Sequence, residues 1–218
     1  MLQLFSVNNI AFTIMGYPMS YIEFIGTILY LWSAWLIAKK QILTWPVGIV
    51  SVALYMALFY QIRLYSDALE QVYYLITSIY GWWRWNTSTQ DIDKAFNFRY
   101  SSRRSLILFL GITFGISLAT GALMSRINIL FPVWFPEPAS FPYLDALTTI
   151  MSFTATWLML QKRVESWCYW IVVDLIGIGL YYAKEVRFIS LLYVLLLGIA
   201  INGLVSWHQT ANEKKLSA

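Results

Sequence analysis

Seven stretches of this chain are long and apolar enough to cross a bilayer, and that feature alone removes most soluble folds from consideration. A spanning helix needs about 20 largely apolar residues. The stretches run roughly over 21–38, 41–62, 67–85, 105–124, 144–161, 167–183 and 188–207, and the second, fourth and seventh hold no charged residue. Only 12% of the chain is charged, against about 25% in a soluble domain, so a water-facing surface could not be covered. Eleven Trp and fifteen Tyr fit interfacial aromatic belts. The expected fold is an all-α membrane protein, one transmembrane domain over 1–218.

The scarce residues narrow the chemistry. A single cysteine, Cys168, excludes an internal disulfide framework and a Cys-based metal site. A single histidine, His208, sits in the C-terminal tail, so no metal site and no cofactor are expected. The net charge of +4 does not point to nucleic acid. The first basic residue is Lys39, so no signal-peptide n-region precedes the first apolar run, which is expected to stay in the mature protein.

Basic residues set the orientation. With the N-terminus outside, Lys39, Lys40, Arg84, Lys94, Arg99, Arg103, Arg104, Lys162, Arg163, Lys214 and Lys215 are cytoplasmic, and only Arg63, Arg126, Lys184 and Arg187 face out. The bias predicts N-out, C-in. The segment 125–143, with Pro132, Pro136, Pro138 and Pro142 among Phe131, Trp134, Phe135 and Phe141, is expected at the membrane interface.

The chain also repeats itself. Aligning 23–85 with 145–207 needs no gap and gives 16 identities in 63 positions, against roughly one in ten by chance in an apolar-biased chain. Trp35 pairs with Trp157, Lys40 with Lys162, Trp45 with Trp167, Tyr60 with Tyr182, Gly81 with Gly203 and Trp85 with Trp207. The offset spans four helices, an even number, so equivalent helices point the same way. The expectation is a 3+1+3 plan: repeats over 20–85 and 144–207, joined by an inverting helix over 105–124. Parallel repeats of this kind are a known transporter plan, with the substrate site between the halves.

Polar residues inside the spans are the candidate site. Asp174 lies mid-helix, where a carboxylate faces a cavity or a partner. Trp170 is four residues earlier on the same face. A Trp face beside a carboxylate suits a flat cationic ring, although a structural Asp bonded to a neighbouring helix would read the same. Asp67, Glu70, Gln71, Tyr74 and Ser78 form one stripe. Gln71 is the better ligand there, and Asp67 and Glu70 are entrance residues or simply solvated. Ser51, Tyr193 (the repeat mate of Gln71) and Asn202 complete the set. Small residues near Ser51, such as Gly48, could equally serve helix packing. The Trp82–Trp83–Trp85 cluster reads as interfacial anchoring.

Taken together, Trp45-Pro46-Val47-Gly48-Ile49, Phe59-Tyr60, Leu64-Tyr65-Ser66-Asp67, Gln71 and Tyr80-Gly81-Trp82-Trp83-Arg84-Trp85 resemble the PnuC family of bacterial vitamin transporters. Lys162, Arg163, Glu165, Trp167 and Trp170 resemble its W-x-x-W segment. The resemblance runs from about Ser20 to Trp207. It implies a homotrimer in the inner membrane and facilitated diffusion of an unphosphorylated precursor, trapped by a cytoplasmic kinase. It also implies nicotinamide riboside as first substrate, with thiamine as the alternative and neutral riboflavin fitting less well. The chain departs from the riboside pattern at Ser51 and Asp174, where that pattern carries Asn. An intramembrane enzyme would need a nucleophile with a base, or metal ligands, and the chain offers no tight carboxylate pair. A retinal-type receptor would need a Lys deep in the last span, and 188–207 has none.

Overall fold

The structure, a computed structural model, describes residues 6–14, 16–63, 65–89, 98–133, 138–183 and 185–216. Leu64, Lys94, Trp134, Phe135, Pro136 and Lys184 lie outside the described residues, as do the side chains of Tyr65, Ser66, Lys214 and Lys215.

The described chain begins with an antiparallel hairpin, β1 (Ile10–Ile14) and β2 (Tyr17–Ser20). Eight helices follow: α1 (Tyr21–Ala38), α2 (Thr44–Gln61), α3 (Tyr65–Thr89), α4 (Arg103–Met124), the single turn α5 (Ile127–Leu130), α6 (Pro142–Leu160), α7 (Ser166–Ala183) and α8 (Arg187–Leu216). The expected spans start and stop within three residues of these helices, except at two C-terminal ends. Helix α3 runs four residues past Trp85 and α8 nine past Trp207. His208 is therefore helical, not part of a loose tail.

Apart from the hairpin, the described residues form an all-helical fold, as expected. Five helices, α1, α2, α4, α7 and α8, combine span length with span hydropathy. Helices α3 and α6 are long enough, with 25 and 19 residues, but Asp67, Glu70, Arg84 and Asp145 make them more polar. Finally, Trp82 and Trp83 are exposed as expected of anchors, but Trp85 is only 4% exposed and belongs to the core.

Short links make α1–α2–α3 one packed unit and α7–α8, with α6, another. The units meet where α1 touches α8 and where α3 touches α6. Helix α4 packs on α6. The turns after α1, α2, α6 and α7 all lie at helix C-termini, and each uses one left-handed residue: Lys40, Arg63, Lys162 and Glu185, with φ between 58° and 62°. Glycine normally fills such a position. Lys40 and Lys162 stand 122 residues apart, as do Arg63 and Glu185, so the repeat extends to backbone geometry. Gln41 N–H donates to Leu36 O and Arg163 N–H to Leu158 O, both at 2.9 Å, so the two bonds closing these turns also match.

The core gathers at the end of the bundle formed by the α1–α2 and α6–α7 turns. There Trp45, Trp85, Trp167, Trp207 and Phe98 interlock with Leu160, Val164 and Ala200. Two indole N–H groups tie the units reciprocally. Trp85 Nε1 donates to Leu160 O at 3.1 Å, and Trp207 Nε1 donates to Ile37 O at 3.1 Å. Trp45 lies flat against Gly81, and Trp167 against Gly203, leaving no room for a Cβ at either glycine. Lys40 Nζ reaches Thr210 Oγ1 at 2.7 Å.

Lys162 sits in the α6–α7 turn, 5.1 Å over the Trp85 ring. Burial, and then the Arg84 guanidinium, pull its ammonium from 10.5 down to about 8. The sign follows from linkage. Between about pH 8 and 10.5 the unfolded chain holds the proton and the native one does not, so stability rises with pH there. Lys162→Arg keeps its charge throughout and is expected to lack that gain. Thermal melts at about pH 7.5 and 9.5 check this; equal gains in both proteins would rule Lys162 out as the source.

Candidate functional site

A buried carboxylate without a partner marks the centre of the bundle. Asp174, on α7, is 3% exposed. Among the described residues its carboxylate makes no hydrogen bond and no ion pair. The groups facing it are phenols. Tyr30 of α1 and Tyr193 of α8 both interact electrostatically with Asp174. Tyr30 also interacts with Tyr55 of α2, and Tyr74 of α3 with Tyr30, Tyr193 and Glu70. Ser152 of α6 faces the Tyr74 hydroxyl. Six helices from both units thus converge on one cluster, and no basic group enters these contacts.

Local sequence explains how each side chain is held. Gly177, one turn beyond Asp174, has no Cβ, so the Tyr193 ring lies on the α7 backbone. Tyr193 then stacks on Tyr181, with ring centroids 5.4 Å apart. Tyr55 is fixed by Thr27 Oγ1 at 2.7 Å. Tyr73, next to Tyr74, donates to Phe153 O at 2.8 Å and so anchors α3 on α6.

The expected site residues divide into three groups. Asp174, Tyr74 and Tyr193 come together in the cluster. Trp170 is half-buried one turn from Asp174, packed between the tryptophan core and the Ala155–Leu158–Tyr169 group. Gln71 is half-buried on α3, and among the described residues its amide forms no hydrogen bond. Ser51 and Asn202 sit differently. Ser51, 1% exposed, donates to Gly26 O at 2.8 Å, so its proton already joins α2 to α1. Asn202 is exposed in a groove of about 280 Å³ with Trp35, Lys39, Leu195 and Ile199, away from the tyrosines. A second groove, about 520 Å³ between Tyr60, Leu69 and Val72, is apolar. Both grooves open to the outside of the bundle, and neither touches Asp174.

Sequence reasoning missed Tyr30 and Ser152. One signal for them existed: they are repeat mates, 122 residues apart. Above the cluster, at the hairpin end, Glu70 accepts from Thr149 Oγ1 at 3.2 Å and interacts with Asp67 and Asp145. There too Tyr17 of the hairpin donates to Glu23 Oε1 at 2.7 Å and stacks on Phe188 of α8, centroids 5.8 Å apart.

Chemically, this is an aromatic box with one buried carboxyl group and several hydroxyls. Ring faces and a desolvated carboxylate both favour a cation. The hydroxyls can donate to or accept from polar substituents. Among the described residues no basic group enters the box to pair with a phosphate.

Known proteins share this arrangement of helices and this sequence. A solved structure described as the vitamin B3 transporter PnuC superposes with a TM-score of 0.66 over 88% of this chain and 83% of that one, at 18% identity. The nicotinamide riboside transporter PnuC of Escherichia coli (strain K12) is 31% identical, with 96% of each chain covered. The riboflavin/roseoflavin transporter RibM of Streptomyces davaonensis is 27% identical over 92% of this chain and 91% of its own. These relatives are transporters rather than enzymes, and the helices described above make this a multi-pass membrane protein. The family model for the nicotinamide mononucleotide transporter matches residues 20–209, and the chain belongs to that family.

Proposed function

We propose that this protein takes up nicotinamide riboside across a bacterial inner membrane by facilitated diffusion. The observation that carries the reading is Asp174, buried without a partner among tyrosines. A pyridinium riboside supplies what that box lacks: a flat cation for the carboxylate and rings, and hydroxyls and a carboxamide for Tyr30, Tyr74, Tyr193 and Gln71. Trp170, one turn away, is placed to stack on the heterocycle.

The unphosphorylated form is the better ligand, although the family carries the mononucleotide's name. A phosphate brings close to two negative charges at neutral pH and would face Asp174 with no Lys or Arg beside it. Uptake becomes directional when a cytoplasmic kinase phosphorylates the riboside. The hairpin end faces out and the tryptophan end faces the cytoplasm, as the basic-residue bias requires. All seven long helices span, α3 and α6 included, with Asp67 and Glu70 of α3 set against Asp145 and Thr149 of α6. The halves 20–85 and 144–207 rock about the cluster, with α4 as the inverting link, and three copies form the homotrimer. Thiamine remains the second reading, since its thiazolium would meet the same carboxylate.

Proteoliposome uptake decides between them. Riboside is expected to enter, to be displaced by excess riboside, and to be indifferent to mononucleotide. Equal transport of the mononucleotide would overturn the charge argument. Uptake of thiamine with no riboside uptake would make the alternative correct.

A further inference from the structure

The tryptophan end is closed by a strap that the transport reading does not use. The four residues Phe98–Ser101 precede α4 and cross the seam between the two halves. Five of their hydrogen bonds run to one side. Arg99 N–H donates to Lys162 O at 3.2 Å, and Val164 N–H donates to Arg99 O at 3.2 Å, a short parallel bridge. Arg163 Nη1 donates to Tyr100 O at 3.0 Å. Ser101 N–H donates to Glu165 Oε1. The Tyr100 hydroxyl hydrogen-bonds His208 Nδ1, and Asn212 holds the other ring nitrogen at 2.9 Å. Every one of these partners lies in the α6–α7 turn or on α8, which is to say in the second half.

Phe98 is the exception. It is 2% exposed and fills the space between Trp207 of the second half, 4.4 Å away between centroids, and Trp85 of the first half, 6.0 Å away. The ring is thus wedged between the Trp85 turn of α3 and the Trp207 turn of α8, which must part if the cytoplasmic side is to open. It holds Trp207 closely and Trp85 loosely, edge to face.

We propose that Phe98–Ser101 is the inner gate strap, a fixed part of the second half, with Phe98 the gating residue that separates from Trp85 when the site opens inward. The proposal rests on the rocking of the two halves. When they part, the bonds to the α6–α7 turn and to His208 stay intact. The strap's own contact that breaks is the one between the Phe98 and Trp85 rings, while the bonds Trp85 Nε1–Leu160 O, Trp207 Nε1–Ile37 O and Lys40 Nζ–Thr210 Oγ1 across the seam break with it. The strap therefore adds an aromatic seal to a closed state that those bonds hold.

Two experiments on the full-length protein test this, both in a Cys168→Ser background. First, Arg99→Cys with Arg163→Cys, oxidised to a disulfide, fastens the strap permanently to the second half. Riboside uptake is expected to stay within about twofold of the reduced protein. Arrest on oxidation, restored by reductant, would overturn the proposal, because it would mean that the strap must leave the α6–α7 turn. Second, a cysteine at buried Ala200 reports inner opening to an impermeant maleimide in inside-out vesicles. Phe98→Ala is expected to speed its labelling about tenfold, and Phe98→Leu by less. A cysteine at Ile22, buried at the opposite end, is expected to label no faster. A rise at both positions, or at neither, would overturn the gating role. Absence of riboside uptake in the parent protein would instead refute the transport reading.

Discussion

Asp174→Asn is expected to weaken binding of a pyridinium riboside by about tenfold to a hundredfold. One charge-assisted contact is worth about 1.5–3 kcal/mol, and each 1.4 kcal/mol is about tenfold in affinity. Asparagine preserves size and one acceptor oxygen, so the loss reports charge and not shape. The discriminating comparison is a neutral dihydropyridine riboside of the same outline, which is expected to lose little. Calorimetry on both ligands and both proteins gives the answer. Equal losses for the cation and the neutral analogue would mean that Asp174 orders the helices rather than neutralising the ligand.

The second large effect is structural. Gly203→Val places a Cβ within 2.5 Å of the Trp167 ring, and Gly81→Val does the same against Trp45. Both tryptophans are buried, at 3% and 5% exposed, and each is boxed in by another indole packed edge to face. Neither ring can swing away without opening the core. Over-packing of this kind costs about 3 kcal/mol, a fall of roughly 10 °C in Tm for a chain of this size. Gly111→Ala on α4 meets nothing within 4 Å and is expected to be neutral or slightly stabilising, since alanine favours a helix over glycine by about 1 kcal/mol. Melting of the three variants in one detergent checks the contrast. A Gly203→Val protein as stable as the parent would show that the third helix of each half can slide off its tryptophan.

Much of this was readable in advance because the membrane simplifies the problem. Long apolar runs admit little besides helices, so their ends fell close to where charges and prolines placed them. The overrun of α8 was hidden because most residues after Trp207 are polar, and the Lys40–Thr210 and Tyr100–His208–Asn212 contacts, with Ala211 buried in the core, hold them as helix. The hairpin was hidden because nothing within Ile10–Ser20 forces it. Its closure depends on Gly16, at φ 83°, and on Met19 tucking away at 1% exposure. At the site, Asp174 announced itself, since an isolated carboxylate in an apolar run demands a reason. Tyr30 did not, because a tyrosine in a span reads equally as an interfacial anchor. Ser51 looked like a ligand from its place one position before the repeat mate of Asp174. The sequence could not reveal that a carbonyl on α1, Gly26 O, lies within reach of its hydroxyl. Trp85 misled for the opposite reason. Two exposed neighbours, Trp82 and Trp83, made it look like one more anchor, while helical geometry turned it inward.

The reciprocal tryptophan bonds also bear on how the chain is made. Trp85 leaves the ribosome about 75 residues before Leu160, the carbonyl that its indole needs. Ile37 waits still longer, until Trp207 has been synthesised. Neither half can finish its tryptophan end alone, so the first three helices are made as an open product. Closure comes only with the last helix. A chain broken off before Trp207 keeps most of its apolar helices yet displays unsatisfied groups and a gaping aromatic seam. It offers the cell's membrane proteases a defect to recognise, which ties quality control to completed translation.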